Sequence, residues 1–114
     1  MRRRRWKWAE QSDEWPAFEA WLEALPWAEH VELAAGLEML LDHGPEYDCP
    51  KLGDDLYVVY ACSKQTIFWL IVGILERRQR RLVPLAWGKN PSSTLTEDVK
   101  VQALRKLQKC RNAI

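Results

Sequence analysis

Two apolar runs, Leu56 to Cys62 and Thr66 to Leu75, lie almost end to end with only Ser63-Lys64-Gln65 between them. Both are rich in β-branched and aromatic residues, so they read as the arms of a β-hairpin. Neither face of the second run is polar, which places it at the centre of a sheet and covers it on at least one side. The next turn, Glu76 to Arg81, carries four arginines in six residues. Leu82 to Gly88 supplies another strand, and Pro84 within it requires an edge position or a bulge, because proline has no N–H to give a ladder.

Helical patterns lie on either side of these strands. Phe18, Trp21, Leu22 and Leu25 recur at steps of three and four, with Glu19 and Glu23 turned to water. Asp13 is the expected N-cap of that helix, and Pro16 suits its first turn. Pro26 ends it and opens a second helix, whose stripe is Leu33, Leu37, Leu40 and Leu41. Gly44-Pro45 stops the second helix with an expected left-handed cap. Glu46 to Asp55 reads as a loop. Thr94-Leu-Thr-Glu97 has the form of a capping box, and Val99, Ala103, Leu107 and Cys110 form the buried stripe of a terminal helix. Arg3 to Ala9 alternates, with Trp6 and Trp8 on one face, and reads as a short first strand.

The fold class that follows is α+β in a single domain, residues 1–114. An N-terminal strand and a two-helix hairpin pack on a mostly antiparallel four-stranded sheet, and a C-terminal helix closes the chain. A chain of 114 residues buries enough surface to need no disulfide or metal staple. The seven tryptophans are expected mostly in the core.

Charge is strongly segregated. Met1 to Lys7 holds five cations and no anion, Trp8 to Pro50 holds eleven carboxylates and no Lys or Arg, and the remainder is basic. The net charge of +1 thus conceals a dipolar molecule. Three cysteines without paired spacing fit a reduced, cytoplasmic setting and offer no metal site. The basic N-terminus is not followed by an apolar core of the signal-peptide kind. The longest apolar run is about half of a membrane span. No membrane partner and no small-molecule cofactor are expected.

The order strand, helix, helix, strand, strand, strand, helix resembles the RelE/HigB toxins of bacterial type II toxin-antitoxin modules. Phe18-Glu-Ala-Trp-Leu-Glu-Ala-Leu25 looks like the opening of their first helix, and Leu40-Leu-Asp-His-Gly-Pro45 like the end of their second. Lys51-Leu-Gly-Asp-Asp-Leu-Tyr57 is similar to their "kLg.gLyElR" phrase, and Trp87-Gly-Lys89 with the capped helix resembles their ending. The resemblance implies a ribosome-dependent mRNA endonuclease, a cognate antitoxin protein as partner, and the ribosome with its mRNA as target.

That chemistry needs a proton acceptor, an acid, and cations on the phosphate. Lys89 aligns with a family lysine in this role, and Tyr60 stands where the family has a catalytic arginine. Phe68-Trp69 replaces a second arginine position. Arg77, Arg78, Arg80 and Arg81 form the strongest basic patch, and Trp87 offers a stacking platform, as RNA-binding residues. The missing strand arginines equally fit a non-catalytic binding module on the same fold, either a ParE-like target inhibitor or a toxin remnant. An accessory protein of phage origin with no nucleic-acid role is a third reading. His30 and His43 are expected to be solvated or to cap carbonyls.

Overall fold

The computed structural model describes residues 5–64, 66–90 and 95–113. It is α+β, as the apolar pattern predicts, with a mixed sheet of five strands. The elements are β1 (Lys7–Trp8), α1 (Trp15–Glu23), α2 (Trp27–His43), α3 (Pro45–Asp48), β2 (Lys51–Gly53), β3 (Leu56–Ser63), β4 (Thr66–Glu76), β5 (Arg81–Asn90) and α4 (Glu97–Asn112). The strand order is β1-β5-β4-β3-β2. β1 runs parallel to β5, and every other pairing is antiparallel.

The fifth strand, β2, lies in the stretch read as a loop. Pro50, Gly53 and Asp54 are breakers, but the Pro50 carbonyl accepts from the Val58 amide, and Asp55 turns the chain at a φ of 60°. Three residues thereby join the sheet. The adjoining α3 is one more correction to that loop.

β4 is central, and its two faces feed two separate cores. Phe68, Leu70, Val72 and Ile74 pack with Tyr57, Val59 and Leu82 against α1 and α2. Trp69, Ile71 and Leu75 pack with Val58, Val83 and Leu85 against Ala103 and Leu107 of α4. The molecule is therefore three-layered, with the acidic helices on one side of the sheet and α4, carrying Lys100, Arg105, Lys106, Lys109 and Arg111, on the other. Close approach of α4 depends on Gly73, where an added Cβ would lie 2.8 Å from Leu107 Cδ1.

Trp69 is buried, and Trp6, Trp8, Trp15, Trp21 and Trp87 pack partly buried against the helix-side core; only Trp27 stands out, at 79% exposure. Phe18 is the hub, 5.2 Å from the Trp87 ring and 5.7 Å from Trp8.

The caps differ from expectation. α1 begins at Trp15 with Glu14 as N-cap and no side-chain bond. Asp13 is exposed in a preceding turn, in which the Ser12 carbonyl accepts from Trp15 N. Gly44 has φ 86° and ψ 161°, a positive-φ extended conformation rather than the left-handed helical one, because Pro45 must start α3 at once. An added Cβ at Gly44 would also sit 2.5 Å from Trp6 Nε1. The hydroxyl that caps α4 belongs to Thr96, which accepts from Val99 N at 3.3 Å; Thr94 lies outside the described residues. Of the first strand expected over Arg3 to Ala9, Lys7 and Trp8 pair with β5, and residues 1–4 lie outside the described residues.

Among the described residues no helix is long and apolar enough to cross a membrane.

Candidate functional site

Side chains alternate across a strand, so register decides which residues can share a site. Tyr60 pairs with Trp69, which pairs with Gly88. Trp69 belongs to the core beneath α4, which puts Tyr60 on that face, 52% exposed. Lys89 pairs with Phe68, which belongs to the opposite core, beneath α1 and α2. Lys89 and Tyr60 therefore point to opposite sides of the sheet. The two residues predicted to act together do not meet.

Lys89 also has a structural task. Its Nζ lies 3.1 Å from Glu29 Oε2 on α2, and Thr66 Oγ1 donates to the other oxygen of the same carboxylate at 3.3 Å. The Glu29 side chain is only 17% exposed, so the pair fastens α2 over the upper end of β4 and β5. Trp87 shares this face and sits edge-on to Phe18, packed in the core rather than offered to a base.

The arginine turn is at the far end of the sheet. Glu76 lies seven residue steps along β4 from Trp69, about 23 Å at ~3.3 Å per step. Arg77 donates to Glu46 of α3 at 2.7 Å and to Asp55, and Arg111 of α4 reaches the other Asp55 oxygen at 2.6 Å. Glu46, Arg77, Asp55 and Arg111 thus make one chain of charges joining α3, the β2–β3 turn, the β4–β5 turn and α4. Partial burial pushes the Asp55 carboxyl upward, but hydrogen bonds from Arg111 and Arg77 outweigh it and hold the group below its ordinary value. The hydrogen bonds to Glu46 and then Asp55 raise Arg77 above an already high value. Arg81 lies 3.9 Å from Glu76. Arg78 and Arg80 flank this network, and both make contacts of their own.

Sequence reasoning missed this network, because its acids come from segments read as a loop. It also passed over the ground around Tyr60. A groove of about 410 Å³ runs between the end of α2, α3 and the outer edge of β3. Met39, His43, Tyr47, Cys49 and Tyr60 line it, and Met39 and Tyr47 are 61% and 66% exposed. His43 stacks on Tyr47 at 4.6 Å, and its Nδ1 is buried with no partner among the described residues. His30, by contrast, bonds the Leu22 carbonyl through Nδ1, the capping role expected of it. Burial, then the Asp48 carboxylate, pushes the Cys49 thiol up, so it is a poor thiolate nucleophile.

Comparison of the chain with family models, curated proteins and solved structures finds no match. The geometry has to carry the argument alone. Phosphoryl chemistry asks for a base, an acid and free cations around one point. Here the sequence-predicted members are divided between two faces and two ends of the sheet, and Lys89, Arg77 and Arg81 lie beside carboxylates. Among the described residues no group of three or more His, Cys, Asp or Glu is placed to hold a metal ion. What the surface does present is an aromatic groove beside a strand edge.

Proposed function

We propose that this chain is a non-catalytic binding module with the architecture of the RelE/HigB-like toxins, acting by contact with a protein partner. The observation that carries this reading is the separation of Lys89 from Tyr60 by the thickness of the sheet, with Lys89 bound to Glu29. A binder needs neither the strand arginines nor a proton relay, so the tyrosine and tryptophan at those positions cost it nothing. In a type II module the partner would be the cognate antitoxin or the protein that the toxin inhibits.

Induced expression in a bacterial host tests the proposal, with growth and transcript integrity followed for the wild type and for Lys89→Ala. The expected result is intact mRNA in both. Transcripts cleaved by the wild type and spared by Lys89→Ala would establish a ribosome-dependent nuclease and overturn the reading.

A further inference from the structure

The two long margins of the sheet are treated differently. On β5, the lower end is covered by β1, Pro84 offers no N–H, a bulge interrupts the ladder at Leu85, and Lys106 Nζ donates to the Leu85 carbonyl at 3.1 Å. These are the devices by which proteins blunt an edge. On β3 the short β2 strand covers only the beginning. Its pairing ends at Leu56 and Tyr57, and Val58 N bonds the Pro50 carbonyl. No hydrogen bond outside the ladder to β4 engages Val59 to Ser63 among the described residues.

Backbone polarity fixes what that open stretch offers. Val58 N points outward to Pro50, and the N–H and C=O of alternate residues leave a strand on the same side. Tyr60 and Cys62 therefore present their backbone groups outward, while Val59, Ala61 and Ser63 bond β4. This pattern is complementary to itself. When the chain is turned about a two-fold axis through Ala61, a second β3 runs antiparallel to the first and Tyr60 faces Cys62 of the other copy. Each such pair exchanges both hydrogen bonds, so every open group of Tyr60 and Cys62 is used. A two-fold at Tyr60 would instead set Cys62 against Val58, whose amide Pro50 already holds. One at Cys62 would set Tyr60 against Lys64, where the chain turns at a φ of 46°.

We propose that this chain forms a two-fold dimer through β3, centred on Ala61, which joins two five-stranded sheets into one continuous sheet. Such a dimer forms whether or not the binding-module reading holds. The side chains at the seam suit a second copy. Ala61 lies on the axis, where facing Cα atoms come to about 4.5 Å. Gly36 is the α2 residue above it, and an added Cβ there would lie 3.5 Å from Ala61 Cβ. Small residues on strand and helix leave room for two α2 helices. Of the eight large apolar side chains exposed among the described residues, Met39, Tyr47, Tyr60 and Ile67 border this edge, so the seam lies where exposed apolar surface is concentrated.

Charge is also compatible with a second copy. Glu38 and Asp42 of α2 are paired with Arg5, which leaves Asp48 as the carboxylate lining the groove. In the Ala61 register, Lys64 of the second copy comes level with Val58, beside Pro50 and so close to Asp48. Asp48 then stands between Lys51 of its own chain and Lys64 of the other. None of the three has an ion pair among the described residues.

Sedimentation velocity through the micromolar range tests the dimer, and the wild type should pass reversibly from one chain mass to twice that mass. Cys62→Pro removes the outward N–H from each copy and leaves the β4 ladder intact. It should weaken association about tenfold with an unchanged circular dichroism spectrum. Asp48→Lys should weaken association several-fold, and adding Lys64→Asp, which tolerates the positive φ, should restore it. In a Cys62→Ser background, Ala61→Cys should give a disulfide-linked dimer on mild oxidation, because the axis brings the two residues within bonding distance. Tyr60→Cys in the same background should not, since that residue and its mate lie about 8 Å apart. A wild type that stays monomeric throughout would overturn the proposal and leave the edge to a different protein's strand. A dimer indifferent to Cys62→Pro and to the charge exchange, and not linked through Ala61→Cys, would overturn it equally.

Discussion

Arg111, in the last turn of α4, donates one nitrogen both to the Asp55 carboxylate at 2.6 Å and to the Ile74 carbonyl at 2.7 Å. Asp55 returns the link through its own carbonyl, which accepts from the Ile74 amide. A turn residue with positive φ thus ties the terminal helix to the central strand.

Asp55→Asn keeps a side chain that tolerates that φ but removes the charge. Its carboxylate is 24% exposed, so the expected loss is at the low end for charge-assisted bonds, about 1.5 kcal/mol. The folded pKa lies below the ordinary value, so the unfolded chain takes up the proton first. The carboxylate's contribution is complete above the unfolded value of about 3.9 and is lost as pH falls through the folded pKa. Urea midpoints of the two proteins should differ at pH 6 and converge as the pH is lowered below 3.9.

Lys89→Met should destabilise the fold by about 1–2 kcal/mol, because Glu29 is left largely buried with only the Thr66 hydroxyl. Adding Glu29→Gln should restore part of that loss. A double-mutant cycle by chemical denaturation reads the coupling. Equal losses summed without recovery would show that the pair contributes no coupling.

Gly44→Ala combines a positive φ of 86° with a contact at 2.5 Å to the Trp6 indole. The expected cost is about 2–3 kcal/mol, from backbone strain and displacement of the ring. Thermal unfolding measures it, and tryptophan emission should shift because Trp6 moves.

Thr96→Ala removes the N-cap of α4 and should cost about 1 kcal/mol, whereas Thr96→Ser retains the bond to Val99 N. Guanidinium midpoints of the three proteins should rank wild type and serine together above alanine.

The hairpin of β3 and β4, the central place of β4 and the stripes of α1, α2 and α4 could all be read from local periodicity. The faces of β5 could not. Val72 pairs with Pro84 but Ile71 pairs with Ala86, so Leu85 is an extra residue, and every side chain beyond it changes face. Without the bulge, Lys89 would share the side of Tyr60. Pro84 announced an edge or a bulge in the sequence, but nothing local says at which residue the alternation slips. The same limit hid β2, because three residues beside Pro50 gain strand geometry only from a partner that is distant in space until the chain folds. The Asp55 network was illegible for a similar reason, as its four members are drawn from residues 46, 55, 77 and 111.

The layering has an electrical consequence. With acidic helices above the sheet and a basic helix beneath it, and a net charge of only +1, an external field exerts little pull on the molecule and a large torque. Near a polyanion or a strongly cationic protein it would turn before it drifted. The side it presents at encounter would be set within a Debye length of about 8 Å at physiological salt, before any side chains touch.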